Sequence, residues 1–449
     1  MKIDKHTAVF IHVLINAANT EVQNMISKNG QPTDKRTIWI IWLMAFSAFM
    51  VYTSMYGVRK PYTAGSFTAL TQFAISYKVV LVTAQVIGYM VSKFIGIRFI
   101  AEIDRSKRKQ YILQLIGAGW LSLLLFAIVP FEFKFLCMFL NGLPLGMIWG
   151  LVFSYLEGRK MTDFLGAFLS ITFILSSGFA KTVGSLLLKI QGVNEFWMPF
   201  LAGGIFIIPL LLFTHLLDQS PAPSESDKNH RTERKSMDKV ERKKFISEFG
   251  LLITPAVVTY ALLTIIRDFS EDFSADLWRE SGQSGNSFIF TQSSLITSIL
   301  VIGTLSLFYK IKNNFKAFVS LHILVIAGFL ISIGSTLLYS AHLINIFTWM
   351  VVATTGLYMG YVAKNCLYYE RMIASFKIKG NVGFVMYIAD AFGYLGTVLV
   401  LLLKEYITWE LHWETFFIRV FYIASTLGIV LLIFTLTGFI KKYKRITHE

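Results

Sequence analysis

Apolar runs of about 20 residues alternate with short polar connections along almost the whole chain. As helix, at 1.5 Å rise per residue, each run reaches across roughly 30 Å of hydrocarbon. The runs fall at about 38 to 66, 76 to 98, 111 to 130, 134 to 156, 164 to 189 and 197 to 217, then at 249 to 269, 287 to 309, 317 to 340, 343 to 368, 381 to 403 and 416 to 440. This predicts an all-α membrane protein with twelve transmembrane helices. Between the sixth and seventh runs lies DQSPAPSESDKNHRTERKSMDKVERKK, rich in Pro, Ser and charge, which reads as a solvated linker dividing the spans six plus six. The first 36 residues contain TAVFIHVLINAANTEV, too interrupted to span and without the cleavage pattern of a signal peptide; a cytoplasmic or surface-lying helix is expected there. The expected division is thus 1–36 as N-terminal segment, 37–218 as first six-helix bundle, 219–248 as cytoplasmic linker, 249–440 as second bundle and 441–449 as cytoplasmic tail.

The charges orient this arrangement. Of 42 Lys and Arg, 30 lie in the N-terminal segment, the even-numbered loops and the tail, while the odd-numbered loops hold Lys78, Lys134, Lys189, Arg279 and Lys404. The excess of positive charge marks the cytoplasmic side, so both termini and the linker are expected in the cytoplasm, in the inner membrane of a bacterial cell. A net charge of +15 dispersed in this way, and not gathered on one face, argues against nucleic acid as a partner. Composition agrees with membrane residence: 55% of residues are hydrophobic, 15% are charged, and mean hydropathy is +0.58. Cys137 and Cys366 lie in apolar runs with no Cys or His at ligand spacing and read as packing residues. No metal, cofactor or catalytic constellation is predicted, and the chain does not read as an enzyme.

The two halves echo each other. GMIWGLVFSYLEGR, from Gly146 in the fourth run, resembles GLYMGYVAKNCLYYER, from Gly356 in the tenth, which implies duplicated six-helix halves. Gly pairs at this spacing also serve simply as close-packing devices in membrane helices.

Seven cations fall within or at the edges of the spans: Arg59, Lys60, Lys93, Lys181, Arg267, Lys364 and Arg419. A cation at bilayer depth costs at least about 2.5 to 3.5 kcal/mol, so it normally faces a partner, a cavity or the interface. Arg59 and Arg267 each sit towards the outer end of the first helix of a half. Under pseudo-symmetry they would face one another and bind an anion through bidentate hydrogen bonds. The competing placement is the outer interface, because Arg59 follows Trp39 by 20 residues. Lys60 points elsewhere on the helix and reads as a supporting or interfacial charge. Lys181 and Lys364 either add to the anion site or pair with Asp390, which is itself either a proton-coupling group or half of a buried ion pair. Asp268, Glu271, Asp272 and Asp276 read mostly as a solvated outer rim. Arg419 reads as interfacial.

With these residues in view, the chain resembles the major facilitator superfamily, and within it the organophosphate:inorganic phosphate antiporters, such as the bacterial glycerol-phosphate and hexose-phosphate carriers. YGVRKPYTA (Tyr56 to Ala64) is similar to that family's Tyr-x-x-Arg-Lys segment, and LLTIIRDF places Arg267 where the family carries its second phosphate-binding Arg. SKFIGIRFIAEIDRSKRK resembles the superfamily's loop signature, with Lys93, Asp104 and Arg105 as its conformational motif. FGYLG (Phe392 to Gly396), after Lys379 and Gly380, implies a helix-packing hinge at Gly393 and Gly396. The family's helix 5 His aligns near Ser176 or Ser177, a departure from the pattern. The likeness is closer still to a bacterial branch of the superfamily for which it supplies fold but no substrate.

The expected function is secondary transport of a small anion by alternating access: an organophosphate exchanged for inorganic phosphate, with Tyr56, Arg59, Lys60, Lys181, Arg267 and Lys364 as substrate-binding residues. Exchange would be obligate if an empty, positive cavity resists closure. The alternatives are proton-coupled symport of a carboxylate, with Asp390 or Glu370 titrating, and a non-transporting membrane sensor of an anionic metabolite. The partners implied are the small anion, a phosphate ester or carboxylate, and the lipid bilayer, with the chain acting as a monomer.

Overall fold

The computed structural model describes residues 35–448 apart from 69, 158, 160, 223–226, 228–238, 284, 379–382 and 407–411. The expected N-terminal surface helix, most of the linker, and Lys379 with Gly380 therefore lie outside the described residues, as does the side chain of Cys366. Cys137 is buried.

The first span, α1 (Lys35–Arg59), ends where Pro61 denies the helix a donor, and Pro61–Ala64 forms a single 3-10 turn. A small antiparallel hairpin follows, β1 (Thr71–Gln72) with β2 (Ile75–Ser76), whose two turn residues, Phe73 and Ala74, have φ of 57° and 58°. The chain then descends through α2 (Tyr77–Glu102) and returns through α3 (Arg108–Ile128). The fourth span is split into α4 (Lys134–Leu145) and α5 (Ile148–Leu156) at Gly146, just after Pro144. The fifth is α6 (Thr162–Ser170) continued by α7 (Thr172–Leu187), and the sixth is α8 (Met198–Asp218).

The second half opens with α9 (Lys239–Asp272), which starts ahead of the apolar run because VERKK is made largely of good helix formers. It continues with α10 (Ser274–Glu280), α11 (Ile289–Ser306), α12 (Asn314–Ser340) and α13 (Ile346–Ala363). A π-helical turn at Lys364–Tyr368 joins α13 to α14 (Tyr369–Phe376), and α15 (Gly383–Tyr406) and α16 (Trp413–His448) complete the chain. Among the described residues, 11 stretches are long and apolar enough to cross a membrane, and α15 occupies the place of the remaining expected span.

Exposed apolar side chains such as Ile208, Leu251 and Ile423 form the lipid-facing surface. Within the first half α1 packs on α8 and α2 on α4; within the second, α9 packs on α15 and α16, and α12 on α13. The halves meet along two seams, α2 against α15 and α7 against α11. Glycine permits the closest approaches. A Cβ on Gly142 of α4 would lie 2.1 Å from the Gln85 carbonyl oxygen of α2, and one on Gly178 of α7 would lie 2.1 Å from Ser294 Oγ of α11. Gly393 and Gly396 act likewise between α15 and α9, each with an imagined Cβ 2.7 Å from the α9 side chains Thr264 and Ile265.

Candidate functional site

At the hairpin end of the seam, the C-terminal turns of α1 and α9 and the later half of α7 come together. Five cations (Arg59, Lys60, Lys78, Lys181 and Arg267) and four carboxylates (Asp268, Glu271, Asp272 and Asp276) are buried there. The four acids, expected as a solvated rim, are instead covered by lysines reaching over from the first half. Lys60 Nζ lies 2.5 Å from Asp272 Oδ1 and 3.3 Å from Glu271 Oε2. Lys78 Nζ lies 2.7 Å from Asp276 Oδ2 and also donates to the carbonyls of Thr63 and Gly65. Lys181 Nζ donates to the Glu271 carbonyl at 2.7 Å and to Ser274 Oγ at 2.9 Å. Lys60, expected as a supporting or interfacial charge, is thus a fully buried tie between the halves.

The two arginines differ. Arg267 donates to Asp268 Oδ1 (2.6 Å), to Tyr361 Oη and to Tyr394 Oη (3.4 Å), with Glu271 Oε1 at 4.0 Å. Asp268 Oδ2 in turn accepts from Thr397 Oγ1 at 2.9 Å. Among the described residues Arg59 has no carboxylate within ion-pair distance. Only 3% exposed, it is buried inside the bundle; its guanidinium lies 3.9 Å from the Tyr89 ring centroid, and its Nε is buried without a hydrogen-bond acceptor among the described residues. Tyr89 meets Tyr394 across the α2–α15 seam at 5.3 Å between centroids, so two tyrosines, one from each half, stand between the two guanidiniums. Tyr56 is buried on α1, within electrostatic reach of Arg59, Arg267 and Glu271 alike.

The remaining expected site residues separate from this layer. Asp390 accepts from Tyr260 Oη at 2.6 Å and pairs with Lys93 at 3.4 Å, so its basic partner is neither Lys181 nor Lys364. Through this contact Lys93 ties α2 to α15. Arg105 donates to the carbonyls of Ser220 (2.7 Å) and Pro221, and Arg159 also reaches the Pro221 carbonyl. Burial, with Arg105 nearby, pushes Arg159 below its ordinary pKa. Lys364 is buried, donates to the Ala256 carbonyl at 2.9 Å and lies 4.5 Å from the Tyr368 ring centroid. Ala256 precedes Arg267 by 11 residues on α9, about 16 Å along the helix, which places Lys364 outside the charged layer.

Sequence reasoning passed over Tyr89, Tyr361 and Tyr358, whose hydroxyl donates to Glu271 Oε1 at 2.8 Å, and read Lys78 only as a loop charge and Asp268 only as part of a solvated rim. One signal was available for the tyrosines. Tyr is ordinarily enriched at the two membrane interfaces, whereas several here fall within spans, where a buried hydroxyl needs a partner.

The chain matches a family model described as a family of unknown function (DUF5690) over residues 61–442. No curated protein matches it in sequence. Among solved structures it is similar to a D-xylose–proton symporter at 12% identity and a TM-score of 0.61, over 88% of this chain and 96% of that one. It is also similar to the nucleoside transporter NupG at 14% identity and a TM-score of 0.58, over 89% and 98% of the two chains. A bacterial homologue of the human lysosomal transporter Spinster, inward-facing and unoccupied, aligns at 13% identity and a TM-score of 0.58, over 90% and 97%. At such identities the likeness carries the fold alone: an all-α, multi-pass membrane protein of the major facilitator type.

Proposed function

This chain belongs to DUF5690, a family of unknown function, and from that premise we propose that it is a secondary transporter moving a small anion by alternating access. One observation carries the reading. Counted as full charges, the buried layer holds five cations against four carboxylates; among the described residues Lys181 and Arg59 have no carboxylate within ion-pair distance, and while Lys181 is held by the Glu271 carbonyl and Ser274, Arg59 keeps a buried Nε without an acceptor. A buried charge without a counter-charge costs several kcal/mol. One bound anion would balance the layer and accept from Arg59.

The finer reading is exchange of an organophosphate for inorganic phosphate, supported by the likeness of the Tyr56 to Ala64 and Arg267 segments to that carrier family. In this reading Arg59 is the first phosphate ligand, and Arg267 joins when the anion competes with Asp268. Obligate exchange does not follow from charge repulsion here, because carboxylates already neutralise four of the five cations. That same supply of buried acids favours a second reading, proton-coupled carboxylate symport, in which protonation of a carboxylate on α9 loosens a tie between the halves. The linker end is the cytoplasmic one in either case, from the Lys and Arg excess there. The test is uptake of labelled phosphate into proteoliposomes preloaded with phosphate. Saturable uptake that Arg59→Ala abolishes supports exchange. Uptake of a small carboxylate that stops when the pH gradient is collapsed would replace it with symport.

A further inference from the structure

The two arginines of the charged layer stand in opposite situations, and the difference lies in Asp268. Residues one apart on a helix point about 100° away from each other and do not ordinarily face. Yet the Arg267 guanidinium turns back onto its own neighbour, with Nη2 2.6 Å and Nε 3.1 Å from the same Asp268 oxygen, Oδ1. That edge of a guanidinium is the one that would otherwise be offered to a bound oxyanion. Asp268 is itself held, since Oδ2 accepts from Thr397 Oγ1 of α15 at 2.9 Å. Both members of the pair are buried, and the void beside Arg267, between Leu263, Ser270 and Tyr358, is too narrow for a water-sized group.

The half to which each partner belongs matters in a protein whose halves rock. Lys60 with Asp272 and Lys78 with Asp276 are pairs between the halves, and opening the hairpin end parts them. Arg267, Asp268, Tyr361, Tyr394 and Thr397 all belong to the second half, on α9, α13 and α15, so their contacts travel together. With Asp268 subtracted, the five buried cations would face three carboxylates instead of four. A buried charge left without a counter-charge is strongly unfavourable, and a second one makes closure without a bound anion rarer still. We propose that Asp268 is a resident counter-anion: it occupies Arg267 whenever no substrate does, it must be displaced before an oxyanion engages Arg267, and by neutralising that arginine it lets the protein change conformation unloaded. The proposal deepens the transport reading above and rests on it. It gives the carrier net uptake without a counter-substrate, and it weakens anion binding.

The probe is inorganic phosphate, and the variant is Asp268→Asn, which keeps the size of the side chain and an acceptor for Thr397 while removing the charge. In equilibrium binding, removal of the competitor should tighten phosphate binding at least about tenfold, the size of one charged hydrogen bond. An acid that only holds Arg267 in position predicts the opposite, a loss of affinity in Asp268→Asn. Asp268→Glu, which restores the charge, should return the affinity towards the wild-type value. If Asp268→Asn unfolds at lower temperature, as an arginine deprived of its carboxylate would cause, phosphate should raise its midpoint by more than it raises that of wild type. In proteoliposomes, wild type should take up labelled phosphate with or without internal phosphate, whereas in Asp268→Asn the ratio of uptake into empty vesicles to uptake into preloaded ones should fall at least about tenfold. Equal or weaker phosphate binding by folded Asp268→Asn, or wild type that takes up phosphate only against internal phosphate, overturns the resident counter-anion and leaves the anion site standing. Absence of phosphate binding by both proteins takes down the anion site and this proposal with it, so the two failures are told apart.

Discussion

Asp276→Asn removes the carboxylate that holds Lys78 across the seam, and the geometry sets what this should cost. Lys78 Nζ lies 2.7 Å from Asp276 Oδ2 in a fully buried setting, yet it also donates to the carbonyls of Thr63 (2.7 Å) and Gly65 (2.9 Å). Breaking a buried pair from one side costs about 3 to 5 kcal/mol, and two remaining neutral acceptors place this case near the lower bound. Arg279, 3.1 Å from the same carboxylate but 40% exposed, adds little. Lys78→Met leaves Asp276 with only that exposed arginine and should cost at least as much. The double variant, Lys78→Met with Asp276→Leu, removes both charges and should recover most of the loss, giving a coupling of about 2 kcal/mol or more. Heat stability of the purified protein in detergent reads the cycle. Because the pair joins the halves, each single variant should also open the hairpin end: a cysteine introduced as Ser185→Cys, opposite Ser287 across the α7–α11 seam at 2.9 Å between hydroxyls, should react faster with a membrane-impermeant maleimide. Additive single effects with unchanged labelling would refute the reasoning.

Arg59→Lys should retain a small part of the anion affinity and Arg59→Ala none that is measurable; charged hydrogen bonds of about 1.5 to 3 kcal/mol correspond to roughly 10- to 100-fold, read by equilibrium binding. Asp390→Asn should lower heat stability by weakening the tie to Lys93, and Lys93→Met combined with Asp390→Leu should restore it; a double variant worse than either single one would speak against an ion pair. Gly142→Ala should reduce folded yield sharply, since its Cβ would meet backbone atoms of Gln85 at 2.1 Å and Tyr89 at 2.9 Å, while Gly117→Ala, with nothing within 4 Å, should fold as wild type.

The spans were legible in sequence because lipid contact demands long apolar runs whatever the packing inside. Arg59 and Arg267 were legible because an arginine in such a run is costly and needs a reason to be there. Their surroundings were not. Lys60 meets Asp272 across 212 positions of chain, and nothing in the polar look of residues 268 to 276 distinguishes a solvated rim from a buried acid layer. Lys93 belongs by resemblance to a loop signature, and nothing in that signature points to Asp390, which it meets in the structure and which sequence assigns to Lys181 or Lys364.

The central claim is that Arg59 is the open position of an otherwise balanced buried layer. The most direct measurement is equilibrium binding of labelled inorganic phosphate to purified wild type and Arg59→Ala of equal heat stability. The account predicts saturable binding at one site per chain that weakens at least about tenfold in the variant. Equal affinity in the two proteins, or no phosphate binding by folded wild type, would contradict it.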